Sequence, residues 1–164
     1  MFTLQCTKKL LDRIHPNVAA RCDATTRLGN WYATALFWKP QIVLLVNERT
    51  LLPVLMPLAP AATLASRIPA AVKEVLIALD LPADFIQVEI EGMTDIVNAK
   101  TANRSVLGMM NQFAFIAEVM KDRASPVDTL ALSLRLAEVP CGPLTRGAGF
   151  PDRAVRELAA GLNH

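Results

Sequence analysis

The first 60 residues either alternate between apolar and polar positions or run continuously apolar, and both patterns are typical of β-strands. Residues 2–6 predict a short first strand. Residues 30–38 alternate, and residues 42–47 form a continuous apolar run that suits a strand covered on both faces. Residues 51–58 predict one more strand after a short turn. The short links between the last three strands predict an antiparallel meander over residues 30–58.

Two prolines in the strand 51–58 predict its place in the sheet. Pro53 and Pro57 have the same parity, so the backbone N–H groups that they lack would both point to the same side of the strand. A border without these donors belongs at the edge of a sheet. We therefore expect residues 51–58 to form an edge strand, where a partner strand could add or a second copy could associate.

From residue 61 onward, most apolar positions recur at helical spacing. Residues 83–93 are predicted as a helix, although their pattern also admits a strand. Residues 105–121 have the widest apolar face, which predicts a central helix that is buried on most sides. The predicted helices cover residues 61–68, 69–79, 83–93, 105–121 and 151–162, and an earlier one begins after Thr7 and ends before Pro16.

Two segments of the second half favour strands instead. Residues 94–100 could form a short strand. Residues 129–136 alternate strictly, with leucine at every second position, and predict a strand, although leucine itself favours helices. Together these patterns predict one α+β domain over residues 1–164. Its mainly antiparallel sheet of about four to six strands is covered by helices around the central helix 105–121.

Composition and charge narrow the class of protein. Hydrophobic residues make up 52% of the chain, and the formal net charge is +2, which is too small to indicate nucleic-acid binding by itself. Residues 1–30 contain five basic and two acidic residues. Trp31 and Tyr32 could stack bases on an open sheet face, but the alanines beside them favour a packed core. Nucleic-acid binding is therefore possible and not favoured.

Targeting signals and metal-ligand spacings do not stand out in the sequence. The basic pair Lys8-Lys9 follows the first apolar residues, which is the wrong order for an export signal, and no apolar run is long enough to span a membrane. We expect a cytoplasmic protein. Cys6, Cys22 and Cys141 are odd in number and widely spaced, which favours free thiols. A Cys-His-Cys site at Cys6, His15 and Cys22 is the less favoured alternative, so we expect no metal and no cofactor.

Four sequence blocks together resemble an uncharacterised bacterial domain family. The blocks are CTKKLLDR, TTRLGNWYA, VNERTLLPVL and TANRSVLG, and they lie within about the first 120 residues. The family is a domain of unknown function that is found in small stand-alone bacterial proteins. The resemblance implies a bacterial cytoplasmic origin, and it supplies neither a reaction nor catalytic residues.

A polar segment before the helix 105–121 is the first candidate site. Basic and polar side chains from several predicted loops could form a pocket for a phosphate or carboxylate, provided that these loops converge on one end of the sheet. The alternative is that the arginines satisfy buried carbonyl groups while the lysines stay solvated. The candidate residues are Lys8, Lys9, Arg27, Asn47, Arg49, Lys100, Thr101, Asn103, Arg104 and Ser105.

Catalytic groups are sparse in this sequence. His15 is the only credible imidazole base, because His164 is the last residue. A pair of Ser105 with Lys100 is chemically possible, but no serine-elbow pattern accompanies it. Glu89 and Glu91 are interpreted, with other nearby carboxylates, as solvated acidic surface. No catalytic residue is therefore assigned.

These observations favour a non-enzymatic protein-binding or regulatory module. Its partner would be another protein or a second copy, bound through the edge strand 51–58. The alternative is a protein that recognises an anion or a nucleic acid through the basic and polar loops. That alternative includes an enzyme acting on a phosphorylated substrate.

Overall fold

The computed structural model describes residues 1–123 and 125–161. Helices and strands alternate irregularly along the chain. Two short 3-10 turns lie at Ala61–Thr63 and Gly142–Leu144. The strands are β1 (Phe2–Cys6), β2 (Trp31–Leu36), β3 (Ile42–Asn47), β4 (Pro53–Pro57) and β5 (Ile96–Lys100). The helices are α1 (Lys8–Ile14), α2 (Leu64–Ala78), α3 (Ala83–Gly92), α4 (Arg104–Met120), α5 (Thr129–Leu136) and α6 (Pro151–Ala159). The predicted α+β class is confirmed, and the predicted end of the last helix at residue 162 lies outside the described residues.

The five strands form one mixed sheet in the order β4-β3-β2-β1-β5. The meander β2-β3-β4 is antiparallel, as predicted. However, β1 pairs in parallel with both β2 and β5, so the expectation of a mainly antiparallel sheet is wrong for this half. Parallel neighbours require a crossover connection, and the predicted helices supply it, because α1 joins β1 to β2.

The edge position of β4 is confirmed, but its outer border is closed. The Leu58 N–H donates to the Gln41 carbonyl at 3.1 Å, so even-numbered residues of this strand point their N–H groups towards β3, and the backbone nitrogens of Pro53, Leu55 and Pro57 face outward. The two prolines have no N–H group, and the Leu55 N–H donates to the hydroxyl of Ser133 at 2.8 Å. Ser133 lies on α5 and is fully buried. Every backbone donor on the border that the sequence offered for strand addition is therefore absent or occupied.

Residues 129–136, predicted as a strand, form the helix α5. The Asp128 carboxylate caps it by accepting the Ala131 N–H at 3.0 Å. Leucines at every second position point to two sides of a helix, and α5 buries both sides. Its leucines at 132 and 136 pack in one core of the protein, and those at 130 and 134 pack against the other. The alternation thus reflects a helix at the sheet edge between two cores, and leucine's helix preference decides its conformation.

The sheet separates two hydrophobic cores. One face, which includes Trp31, packs against α1, α2, α3 and α6, and the other face, which includes Tyr32, packs against α4 and α5. Both aromatic side chains are at most 1% exposed, so neither sheet face is open for base stacking. The two predicted pieces 61–68 and 69–79 join in α2, with Pro69 inside the helix. Within the described ranges, no helix combines the length and apolar character required to cross a membrane.

The predicted helix 105–121 is confirmed as α4, with a different burial. Its inner face, which includes Val106, Met110 and Phe113, packs on β2 and β3. Its outer face is open, and Phe115 is 71% exposed. The helix is therefore an outer layer of the domain, and the expectation that it is buried on most sides is wrong.

Candidate functional site

The ten candidate residues do not converge on one pocket. Arg27, Asn47 and Arg49 lie where β2 begins and β3 ends, because Trp31 pairs with Asn47. The other seven candidates follow the carboxyl ends of β1 and β5, where Cys6 pairs with Lys100. Since β1 and β2 run in parallel, these two groups lie towards opposite ends of the sheet. We name the group of seven the carboxyl-edge cluster, and the other three residues belong to a larger set that we name the amino-end network.

The amino-end network, which comprises residues 26–30, residues 47–50 and Glu89, is built around Asn47. This side chain is fully buried and donates to the Leu28 carbonyl at 2.9 Å. Its oxygen accepts the backbone N–H groups of Arg49 at 3.1 Å and Thr50 at 2.9 Å. Asn47 therefore holds two loops together, and its amide is committed to structure.

Glu89 joins the same network from α3. It is 2% exposed, and its two carboxylate oxygens accept the N–H groups of Arg27 and Leu28, each at 3.0 Å. Burial raises the pKa of Glu89, and the two hydrogen bonds from the loop oppose that rise. The interpretation of Glu89 as solvated surface is wrong. The signal that could have found it is its position four residues after Phe85, on the buried stripe of the helix.

The two arginines of the amino-end network also contact the main chain. Arg49 donates through Nη1 to the Arg27 carbonyl at 2.8 Å, and Arg27 donates to the Leu158 carbonyl. The Arg27 guanidinium also lies 5.1 Å from the centre of the Phe85 ring. Gly29 has a φ of +78°, and a Cβ there would lie 2.9 Å from Arg49 Nε. Both arginines satisfy carbonyl groups, which is the structural alternative that the sequence left open.

The carboxyl-edge cluster consists of Lys8, Lys9, Lys100, Thr101, Asn103, Arg104 and Ser105. Helix α1 leaves β1 on one face of the sheet, and α4 leaves β5 on the other. Adjacent parallel strands whose helices diverge in this way leave a crevice outside their carboxyl ends. Lys8 pairs with Asp12 at 2.6 Å, whereas Lys9, Lys100 and Arg104 are exposed and form no ion pair with the described residues.

Asn103, a member of this cluster, and Gln5, which lies beneath it, differ in how their polar groups are satisfied. The Asn103 side chain caps α4 by accepting the Ser105 N–H at 2.8 Å and the Val106 N–H at 3.2 Å. The Asn103 backbone N–H donates to the Tyr32 hydroxyl at 2.9 Å. By contrast, the Gln5 side-chain nitrogen is buried without a hydrogen-bond partner, and Gln5 lies beside Tyr32 in the sheet. This edge therefore contains one buried donor that no described residue satisfies.

The outer side of α4 forms a third candidate surface. Its residues Ser105, Gly108, Gln112, Phe115 and Val119, here named the α4 outer face, repeat at intervals of three and four. Phe115 is 71% exposed and Val119 70%, and Phe115 and Gln112 line a depression of about 450 Å³. A Cβ at Gly108 would meet no atom within 4 Å. The surface thus combines two large apolar side chains with a glycine that faces open space, and sequence reasoning missed it because this helix was expected to be buried on most sides.

The cysteines and histidines do not form a metal site in the described ranges. Cys6 and Cys141 are buried, and burial raises the pKa of their thiols to about 12 and about 11. Cys22 is exposed. Within residues 1–123 and 125–161, no three His, Cys, Asp or Glu side chains come together as metal ligands would. His164 lies outside the described residues.

A comparison with protein families identifies the family of this chain. A family model matches residues 3–154, which is most of the sequence. The chain belongs to the DUF6933 family, a domain of unknown function. The resemblance of the four sequence blocks is thereby confirmed, whereas the bacterial origin of this DUF6933 protein stays a prediction. Searches of curated proteins and of solved structures found no match.

Proposed function

We propose that this DUF6933 protein is a non-enzymatic binding or regulatory module that acts by docking a protein on the α4 outer face. The exposure of Phe115 and Val119, one helical turn apart on a well-formed helix, carries the proposal. Large apolar side chains that lie together on a helix and are left uncovered are typical of surfaces that bind a partner helix or groove.

The energetics favour this surface over Val88, an exposed apolar side chain of α3. Burying a side chain such as Phe115 or Val119 contributes about 1.5–3 kcal/mol. Two such residues side by side on one helix can therefore supply the central anchors of an interface. Val88 is also 65% exposed, but its neighbours about one turn away on α3 include the exposed acidic residues Asp84 and Glu91 and no second exposed large apolar side chain. The α4 outer face is therefore the better docking surface.

Site-specific photo-crosslinking in cells that express the protein tests the proposal. The photoreactive residue p-benzoylphenylalanine replaces Phe115, and in a matched control it replaces Val88. We expect a discrete protein-sized adduct from position 115 and none of the same mass from position 88. An absence of any adduct specific to position 115 would count against docking at this surface.

The second candidate function is recognition of an anion at the carboxyl-edge cluster. Three exposed cations, Lys9, Lys100 and Arg104, lie at one edge of the sheet and have no carboxylate partner among the described residues. The unsatisfied donor of Gln5 lies below the same edge. Charge-assisted hydrogen bonds from such groups suit a phosphate, a nucleotide or the backbone of a short RNA.

Thermal unfolding with inorganic phosphate, with nucleotides and with short RNA tests this second candidate. A ligand that binds the folded state raises Tm, and a variant with alanine at Lys9, Lys100 and Arg104 should lose that rise. Asn103, which caps α4, stays unchanged in this variant so that the helix remains intact. Equal Tm values with and without all three classes of ligand would reject the site.

A further inference from the structure

We infer that the carboxyl edge binds the terminal phosphate of a small molecule, and that the buried amide of Gln5 is the inner donor to that phosphate. The site comprises Gln5, Tyr32 and residues 100–104 and is here named the Gln5 site. This inference rests on the second candidate function, since it names the ligand class and the inner contacts of the anion site proposed there. It does not depend on docking at the α4 outer face.

The Gln5 side chain points to the face of the sheet that α4 covers. Gln5 lies on β1 in register with Tyr32 of β2 on one side and with Ala99 of β5 on the other. Residues in register on neighbouring strands have side chains on the same face of a sheet. Tyr32 packs in the core beneath α4, so the Gln5 amide lies on that side as well.

The segment 101–103 crosses above Gln5. It leaves β5 after Lys100, which pairs with Cys6, and it reaches the far side of β1 where the Asn103 N–H donates to the Tyr32 hydroxyl at 2.9 Å. Because β1 lies between β5 and β2, the segment spans β1 close to the position of Gln5. Residues 102–105 are exposed, so the buried Gln5 amide lies directly beneath a surface segment.

The Gln5 site offers hydrogen-bond donors to a ligand. The Gln5 Nε2 group is buried and has no partner, which lowers the stability of the fold unless a ligand accepts its hydrogens. The Tyr32 hydroxyl accepts the Asn103 N–H and can still donate its own hydrogen. The Arg104 N–H is a further donor, because the Asn103 side chain caps only the two N–H groups that follow it. Such a set suits a ligand group whose oxygens only accept.

The neighbouring charges favour a phosphate over a carboxylate. Lys100 and Arg104 are exposed and have no carboxylate partner among the described residues. A phosphate monoester carries about two negative charges and three free oxygens, which matches two cations and three donors. A carboxylate carries one charge and two oxygens.

The buried position of the inner donor favours a terminal phosphate over the backbone of a nucleic acid. Gln5 is only 1% exposed, so a group must enter beneath the segment 101–103 to reach its amide. A terminal phosphate is substituted on one side and can enter with its free oxygens first. A phosphodiester carries a sugar on both sides and would contact only the exposed cations.

Isothermal titration calorimetry of the full chain tests the ligand class. Inorganic phosphate and glycerol 3-phosphate should bind with Kd values below about 1 mM. Succinate, a dicarboxylate, and dimethyl phosphate, a diester, should bind at least about tenfold more weakly. Binding of succinate or dimethyl phosphate that equals the binding of glycerol 3-phosphate would overturn the assignment to a terminal phosphate.

Gln5→Met tests the inner donor, because methionine has a similar size and no amide. Removal of a buried donor without a partner should raise Tm of the free protein by about 2–6 °C. The Kd for glycerol 3-phosphate should rise at least about tenfold, since a hydrogen bond to a charged group is lost. Gln87→Met, the same change at an exposed glutamine of α3, should alter neither value. An unchanged Kd in Gln5→Met, whatever its Tm, would overturn the inference.

Tyr32 provides a second readout that leaves the fold unaltered. It is the only tyrosine of the chain, so tyrosine labelled with ¹³C at Cζ gives a single NMR signal. Saturating glycerol 3-phosphate should shift this signal, because the hydroxyl then donates to the ligand. A signal that stays in place while calorimetry records binding would show that the phosphate binds elsewhere, and would overturn the inference.

The variant with alanine at Lys9, Lys100 and Arg104 separates failure of the Gln5 site from failure of the second candidate function. Loss of phosphate binding in this variant, with full binding in Gln5→Met, would reject the Gln5 site and leave an anion site of surface cations. Loss of binding in both variants supports the Gln5 site. A wild-type chain that binds neither phosphate nor glycerol 3-phosphate rejects the Gln5 site, and the thermal unfolding series then decides whether any anion site remains.

Discussion

The amino-end network and the carboxyl-edge cluster draw on the same kinds of side chain and use them in opposite ways. At the amino end, Asn47 and Glu89 are buried, and each accepts two backbone N–H groups. At the carboxyl edge, Lys9, Lys100 and Arg104 extend into solvent without ion-pair partners among the described residues. Asn103 differs from these cations, because its side chain accepts two backbone N–H groups and caps α4.

Residue type alone therefore does not separate structural polar side chains from those that could bind a ligand. The number of hydrogen bonds that a side chain makes within the fold separates them better. A buried polar group is stable only when its hydrogen bonds are made, so its partners are committed to the fold. An exposed cation exchanges water for a ligand at little cost to the fold. The largest stability effects should therefore come from the amino end and the smallest from the carboxyl edge.

Removal of the Glu89 side chain should have the largest effect. Glu89→Ala leaves the N–H groups of Arg27 and Leu28 without an acceptor in a buried place, which should lower the free energy of unfolding by about 2–5 kcal/mol. Glu91→Ala, an exposed neighbour on the same helix, should change it by less than about 0.5 kcal/mol. Urea unfolding of both variants makes the comparison, and equal effects would contradict the assignment of Glu89 to the network.

Truncation of Asn47 at the amino end should lower the free energy of unfolding more than truncation of Asn103 at the carboxyl edge. Asn47→Ala removes the link between two loops and should cost about 2–4 kcal/mol of unfolding free energy. Asn103→Ala removes a helix cap and should cost about 1 kcal/mol. Chemical denaturation followed by far-UV circular dichroism measures both. A larger loss of unfolding free energy for Asn103→Ala than for Asn47→Ala would contradict the difference between the two ends.

Gly29 tests how tightly the amino-end loop fits Arg49. Gly29→Ala forces a side chain into a left-handed conformation and towards the Arg49 guanidinium, which should cost about 1–3 kcal/mol. Arg49→Ala made in addition should remove the steric part of this cost and leave the backbone part. A double-mutant cycle on unfolding free energies measures the coupling, and strictly additive costs would show that the close contact is unimportant.

The pH dependence of stability gives a signed test of Glu89. Because its pKa is raised above the ordinary 4.5, the folded chain holds more protons than the unfolded chain just above that pH. The contribution of Glu89 to stability is therefore complete below about pH 4.5 and declines as pH rises through its folded-state pKa. Unfolding free energies of wild type minus those of Glu89→Gln should accordingly fall with pH. A difference that grows with pH would mean that the hydrogen bonds outweigh burial.

Changes at the carboxyl edge should have the smallest effect on stability. Alanine at Lys9, Lys100 or Arg104 should shift the free energy of unfolding by less than about 0.5 kcal/mol, since none of them has an ion-pair partner within the described ranges. Thermal unfolding of the three single variants checks this. A loss above about 1 kcal/mol for any of them would assign that residue to the fold instead of to a ligand.

Much of the fold could be predicted because its signals are local. The continuous apolar run of β3 and the wide apolar stripe of α4 identify their elements without any knowledge of their neighbours. The parity of Pro53 and Pro57 even predicted the edge of the sheet, since a missing donor is a property of the residue itself. The family resemblance of the four blocks was likewise visible in sequence and is confirmed by the family match.

The candidate site could be predicted only in part. The composition of the polar loops was evident, but which loops meet depends on the parallel pairing of β1 with β2 and β5, which no local pattern reveals. The burial of Glu89 and the exposure of the outer side of α4 differ from the expectations for the same reason. Whether a carboxylate or a phenyl ring is structural or available for binding depends on the residues that pack against it.

The sequence by itself determined where most of the helices and strands form, because hydrophobic period and turn chemistry act over a few residues. It also determined which side chains could bond to the main chain or to an anion. Only the tertiary structure decided that α5 is a helix between two cores, that Ser133 closes the edge of β4, and that Asn47 and Glu89 belong to one network. These outcomes depend on contacts between residues far apart in the chain, and burial and hydrogen-bond satisfaction exist only once those contacts are made.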